Sequence, residues 1–477
     1  MSTEWALAEV ALGSRSVDQF NSLVGADRMS QLREALLGVR VALNGRVVWN
    51  VSSTPTGGGV AEILRGLLPY LSGAGIATRW LVIGADPAFF QITKRIHHAL
   101  HGSAGDGSVL GSEQRQHYEE VLEASAGQLL TLVRPGDPVI LHDPQTAGLI
   151  PSLKSHGARI VWRCHIGTDN ANQESLAGWE FLLPYVTAAD VLVFSRQQYV
   201  PAPLSSAQVT IIPPSIDPRS AKNREMTPEA MRAILVHTGI IEAPDGVPKF
   251  LRDDGSQGRV ERRADIVRLG RAPAWDRPIV LQISRWDPLK DHLGVMRAFA
   301  ELLTHSATDA YLILAGPNVH GVADDPEQAS VLDELIDSWR TLSHSHRSQI
   351  DLVCLPTADS EENAAIVNAL QRHASVVVQK SLAEGFGLTV TEAMWKRRAV
   401  VASAVGGLAD QIQDGVSGLL LGDPRDKAGL SSRLQRLLED PDLAERLGAA
   451  AHERVRDEYL VTRQLLRYAN LLSDLVI

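Results

Sequence analysis

What most constrains the fold of this chain is a pattern that runs through it twice. Short runs rich in valine and isoleucine alternate with helix-like stretches: RVVWNVSS (Arg46 to Ser53), TRWLVIGA, PVILHDPQ, ARIVWRCHIG and VLVFSRQQ. Most of these runs end in polar residues, and each is a buried-strand signal. The pattern restarts after VTIIPPSIDPRS with RPIVLQISRWD, AYLILAGP, QIDLVCLP, SVVVQKS, AVVASAVGG and SGLLLGD. Strands that alternate with helices build a parallel sheet covered on both faces. The expected fold is therefore α/β, with two Rossmann-like, doubly wound domains facing a cleft. In such sheets ligands bind beyond the carboxyl ends of the strands.

The first domain is expected over residues 1–215 and the second over 216–459. Pro213, Pro214, Ser215 and Pro218 suit a hinge between them. Residues 1 to about 40 read as a helical preface. Gly246 to Pro278 is charged and punctuated by glycine, and reads as a partly mobile surface insertion. The end, from Lys427, is nearly all helical pattern.

At 477 residues the chain is too long for one ordinary core, which agrees with two domains. Its composition, 44% hydrophobic and 21% charged, is that of a soluble globular protein. A formal net charge of -10 argues against a general nucleic-acid binder, which needs a basic surface. Cys164 and Cys354 cannot form a disulfide framework and fit a reducing cytosol. MSTEWALAEV lacks the basic and apolar order of a signal peptide. No apolar run approaches the roughly 20 residues of a membrane span. A cytoplasmic protein without membrane or nucleic-acid partners is expected.

Several loops carry candidate chemistry. In TPTGGGVAE, Gly57, Gly58 and Gly59 lie between a strand and a helix. They either let backbone N–H groups approach an anion or form a tight turn. They match neither a Walker loop nor G-x-G-x-x-G, which disfavours a nicotinamide oxidoreductase. In SRWDPLKDH, Arg285 and Lys290 are two cations after a strand. They could hold a diphosphate, or be solvated charges partly neutralised by Asp287 and Asp291. His142, Asp143 and His165 end strands of the first domain. They could bind a polyhydroxylated ligand, or be a satisfied structural histidine and an Asx-turn at Asp143.

QKSLAEGFGLTVTEAMWK holds Glu384 and Glu392 around a Gly-Phe-Gly. Thr389 and Glu392 have the spacing of a capping box, in which Glu392 reaches back to a backbone N–H. Glu384 is left as a loop carboxylate, suited to sugar hydroxyls, beside free amides suited to phosphate. His97 and His101 stand four apart in IHHALHG, but lack the glutamate of H-E-x-x-H and an evident third ligand.

Together SRWDPLK, EGFGLTVTE and VGGLADQIQDGVSG resemble the donor site of retaining GT-B-fold nucleotide-sugar glycosyltransferases. NVSSTPTGGGVAEIL, FFQITKRIHHALHG, HDPQTAGLIP, WRCHIGTD and VVQKSLAEGFGLTVTEAMWK narrow the resemblance to the trehalose synthase group and the related retaining trehalose phosphorylases. The resemblance implies roles at matching positions. Arg285 and Lys290 would bind the donor diphosphate, with Glu384 on the donor glucose. The amides of Gly385, Phe386, Gly387 and Leu388 would meet sugar and phosphate, and Glu392 the ribose. Gly58 and Gly59 would approach the phosphate, His165 the transferring glucose, and Asp143 the acceptor sugar. It also implies a C-terminal helix, 460–477, packed back on the first domain, and a possible homodimer.

The implied reaction makes α,α-trehalose from nucleoside-diphosphate glucose, such as UDP-glucose or ADP-glucose, and glucose. The alternatives are phosphorolysis through glucose 1-phosphate, or a different sugar acceptor. Retention of configuration comes from the resemblance. A retaining glycosidase would place two carboxyls about 5 Å apart across the bond, whereas Glu384 and Glu392 are committed to binding. No D-x-D motif falls at the donor loop, so no essential metal or other cofactor is expected, Mg2+ being at most stimulatory.

Overall fold

The computed structural model describes residues 5–56, 58–319 and 326–476. The chain divides into two compact units, 1–216 with 459–477, and 217–458. Each is built on a seven-stranded sheet.

The first unit contains β1 (Ala8–Val10), β2 (Val48–Ser52), β3 (Thr78–Val82), β4 (Pro138–His142), β5 (Arg159–Cys164), β6 (Val191–Phe194) and β7 (Val209–Ile211). Their spatial order is β1-β3-β2-β4-β5-β6-β7. Every pair is parallel except β1 with β3. The second unit contains β8 (Lys249–Leu251), β9 (Gln257–Arg259), β10 (Asp265–Val267), β11 (Ile279–Ile283), β12 (Tyr311–Pro317), β13 (Ile350–Leu355), β14 (Val376–Gln379), β15 (Ala399–Ser403) and β16 (Leu419–Leu421). Its sheet runs β10-β13-β12-β11-β14-β15-β16, again parallel except at the β10 edge.

Three expectations change. The preface contains β1 as well as helix, and the VTI of the expected linker is the edge strand β7. Three-residue edge strands are too short to show a period, so only their pairing reveals them. The stretch 246–278 is not a loose insertion. It forms the β8–β9 hairpin and then β10. Several of its charges are paired with acids outside the stretch. Arg252 reaches Asp359 at 2.8 Å and Glu361 at 2.9 Å, and Arg262 pairs with the buried Glu362. These acids stand at the start of the helix Ser360–His373.

Central strands β2, β4, β11 and β15 are buried along their whole length, as strands covered on both faces must be. Large aromatics fill both cores. Buried indole N–H groups find acceptors: Trp49 donates to Asp137 Oδ2 at 3.0 Å, and Trp286 to the Pro317 carbonyl at 2.8 Å. The last helix, Val461–Val476, packs on Ala26–Leu43 and on Gly58–Gly73, within the first unit.

Strand order positions the loops. In each sheet the parallel strand that comes first in the chain lies inside: β2 between β3 and β4, β11 between β12 and β14. Connections leave in opposite directions there, which opens a crevice at the carboxyl ends. The loops after β2 and β4, and those after β11 and β14, are thereby brought together.

Candidate active site

In the second unit the cation loop and the glutamate loop meet. β11 ends at Ile283, and Asp287 Oδ1 accepts from the Leu289 N–H at 2.8 Å. That turns the chain through a single 3-10 turn, Pro288–Lys290. Asp291, at φ 48°, caps the next helix by accepting from the Gly294 N–H and is itself paired with the buried Lys380. Buried Gln282 donates to the Lys290 carbonyl at 2.8 Å, and the Leu382 N–H donates to the Leu289 carbonyl at 2.7 Å. The two loops are stitched together, and Lys290 Nζ lies 2.6 Å from Glu384 Oε2. Ser381 donates to the same oxygen at 3.1 Å. Arg285 is half exposed and pairs with Asp287 at 3.1 Å.

The Gly-Phe-Gly turn is braced from behind by the VGGLADQ segment. Gln411 donates to the Phe386 carbonyl at 2.5 Å and accepts from Thr391 at 2.7 Å. A methyl group on Gly407 would fall 2.6 Å from the Phe386 Cα and 2.8 Å from its carbonyl oxygen. Those are backbone atoms, so the turn itself would have to move. Gly407→Ala is expected to lower kcat/KM for the donor by about 10–100-fold, since misplacing binding groups by 1 Å costs on that order. Gly38→Ala, in open space on a helix, is the control expected to leave kinetics unchanged.

Gly387, at φ 87°, is the N-cap of the helix Leu388–Trp395. The expected capping box is therefore absent. Thr389 lies inside the helix, and its hydroxyl donates to Gln379 at 3.2 Å. A glycine in the left-handed region starts the helix two residues earlier than a threonine cap would. Glu392 is fully buried, 3.1 Å from Lys222 Nζ and 3.4 Å from Gln371 Nε2. Its burial thus has a partner within the protein, and ribose is not the only work available to it. Lys222 carries no sequence signal. It is delivered by a loop that Asn368 and Arg372 hold through the Ala221, Asn223 and Arg224 carbonyls.

In the first unit Gly58, at φ 77°, and Gly59 open the helix Gly58–Gly73 and are exposed. Gly57 lies outside the described residues. Asp143 does not form an Asx-turn. It sits at φ 61°, with its carbonyl accepting from the Trp162 indole at 3.1 Å. Its Oδ1 accepts from the His165 backbone N–H at 2.7 Å. Burial outweighs that bond and the nearby Arg163 cation, and pushes the Asp143 carboxyl up to about 7.

His142 and His165 stack with ring centres 5.6 Å apart. Burial, with Arg163 adding to it, drives His142 down to about 3 and His165 well below the usual imidazole range. Arg163 and Asn50, both buried, complete the group. Each is a polar residue within an apolar strand run, a signal that could have marked them. His97 and His101 are partly buried and pack edge to face at 4.9 Å. Among the described residues no group of three or more His, Cys, Asp or Glu could hold a metal ion.

Residues 50–201 match the family "Trehalose synthase, N-terminal domain", and 271–454 match "Glycosyl transferases group 1". The trehalose synthase of Pyrococcus horikoshii is 33% identical over 471 residues, 99% of either chain. A trehalose phosphorylase of Pleurotus pulmonarius is 26% identical over 85% of this chain and 54% of its own length. Among solved structures, a UDP-forming α,α-trehalose-phosphate synthase from Burkholderia xenovorans, in complex with glucose-6-phosphate, superposes with a TM-score of 0.65. It is 18% identical and is matched over 90% of this chain and all of its own. That likeness is one of fold: both chains have the GT-B architecture.

Proposed function

The chain belongs to the trehalose synthase family of GT-B glycosyltransferases, and from that premise we propose that it transfers glucose from a nucleoside-diphosphate glucose to glucose, with retention, giving α,α-trehalose. The observation that carries this reading is the Lys290–Glu384 pair at the crevice of the second sheet. A cation for a diphosphate and a carboxylate for sugar hydroxyls stand side by side, next to the amides of Gly385, Phe386, Gly387 and Leu388.

Cleavage of a glycosyl–phosphate bond places positive charge on the sugar ring and negative charge on the leaving group. Lys290 and Arg285 stabilise the leaving diphosphate, while Glu384 holds the sugar through its hydroxyls. Glu392 accepts from the ribose, sharing its carboxylate with Lys222. In the first unit Gly58 and Gly59 offer amides to phosphate, His165 binds the transferred glucose, and Asp143 accepts from an acceptor hydroxyl. The leaving phosphate takes the acceptor proton on the same face of the sugar. Two free thiols, Cys164 and Cys354, fit a reducing cytoplasm as the location.

A second reading, phosphorolysis through glucose 1-phosphate, is favoured by one observation. Lys222 already accounts for the buried Glu392 without a ribose. A matrix of donors (UDP-glucose, ADP-glucose, glucose 1-phosphate) against acceptors (glucose, glucose 6-phosphate), with product identification, decides between them. Trehalose and free nucleoside diphosphate are expected from a nucleotide sugar with glucose. Trehalose from glucose 1-phosphate alone would replace the synthase with the phosphorylase.

A further inference from the structure

Four polar side chains on β2, β4 and β5 and just beyond β5 form a chain: Asn50, His142, His165 and Arg163. Their donors and acceptors favour one arrangement of protons, in which two donors share the lone pair of His165 Nε2. A guanidinium donates and never accepts. Arg163 Nε lies 3.1 Å from His165 Nε2, so that nitrogen carries a lone pair. A neutral imidazole has one N–H, which in His165 must then be Nδ1–H.

His142 Nδ1 faces the same His165 nitrogen at 3.3 Å. Were it also unprotonated, two lone pairs would oppose each other, so His142 donates from Nδ1. Its Nε2 is then an acceptor, and the Asn50 amide 3.3 Å away must turn its nitrogen toward it. The opposite amide orientation leaves Asn50 Nδ2 buried without a partner. Oxygen and nitrogen of such an amide are assigned by hydrogen bonding, and here the bonding selects one orientation. Arg163 is held independently, by donating from Nη2 to the Ile212 carbonyl at 2.8 Å and by the Tyr468 ring 5.6 Å away. No protein acceptor meets His165 Nδ1 among the described residues.

We propose that Arg163, with His142 and Asn50 behind it, fixes His165 as its Nδ1–H tautomer, so that His165 gives one hydrogen bond to a sugar hydroxyl oxygen and has no lone pair free to act as a base. Arg163, His142 and Asn50 are positioning residues. The sugar contact rests on the reading above; the tautomer does not.

Histidine 15N NMR of the whole protein tests this, with His165 assigned by the signals lost in His165→Asn. The expected wild-type result is a protonated Nδ1 and an unprotonated Nε2. A protonated Nε2 overturns the proposal. Arg163→Met is expected to release His165 to the Nε2–H form. It should also lower kcat/KM for the donor about tenfold, the worth of one hydrogen bond, with the acceptor KM unchanged. An Arg163→Met protein that keeps both the wild-type tautomer and the wild-type kcat/KM overturns the positioning role. If that variant does not fold, the wild-type tautomer alone decides. Should the protein prove to act on no sugar, the NMR result still stands or falls by itself.

Discussion

Lys290→Met is expected to lower kcat for the proposed glucosyl transfer by about 10²–10³-fold while the second unit stays folded. The size is that of removing one preorganised charge from a site where negative charge develops, roughly 2.7–4 kcal/mol. The side chain sits in a turn whose backbone carbonyls accept from the Gln282 side-chain amide and the Leu382 N–H, neither of which involves its amine. Methionine keeps the apolar stem. Glu384 then loses its 2.6 Å partner and retains the Ser381 hydroxyl. Lys290→Met with Glu384→Gln separates the two consequences, since it removes the negative charge of Glu384 without returning the cation. Thermal melting should recover in the double variant, and kcat should not. A single variant with kcat within threefold of wild type would remove Lys290 from leaving-group stabilisation.

Asp143→Asn is expected to trade activity for stability, with a pH dependence that identifies the cause. The carboxyl protonates near 7 in the folded protein, against 3.8 for an unperturbed aspartate. Between those values the folded state binds the proton and the unfolded state does not, so wild-type stability falls as pH rises through this window. Above about pH 7 the full cost of burying the charge is present, on the order of 2–4 kcal/mol. Asparagine removes the charge and still accepts from the His165 N–H. It also tolerates positive φ. The variant should melt roughly 5–10 °C higher at pH 8, and the gain should vanish toward pH 4. In activity the acceptor KM should rise about 10–100-fold, because a donor hydroxyl loses its carboxylate partner. Wild-type acceptor KM should itself rise as pH falls below about 7, and the variant's should not. An equal gain in melting temperature at all pH values would show that charge burial is not the cause.

Much of this architecture is legible in the sequence. Valine-rich runs mark the central strands, and their spacing by helices gives the parallel sheets, because hydrophobic periodicity is a local property. Three-residue edge strands such as β7 and β10 have no period to read. The Thr389–Glu392 spacing suggested a capping box, and a glycine at φ 87° displaced it. The stretch 246–278 reads as a mobile insertion because the partners of its charges and backbone, Asp359, Glu361 and Glu362, lie about a hundred residues away.

Residue types and their places after strand-like runs mark which side chains could carry chemistry: Arg285, Lys290, Glu384, Glu392, Asp143 and His165. What each of them faces follows only from how the sheets assemble. Lys290 and Glu384 are 94 positions apart and meet because β14 pairs beside β11, a non-local choice made by sheet topology. Lys222 reaches Glu392 across 170 positions of chain for the same kind of reason. The proton states of Asp143 and His165 depend on burial and on the cation Arg163, which are properties of three-dimensional surroundings.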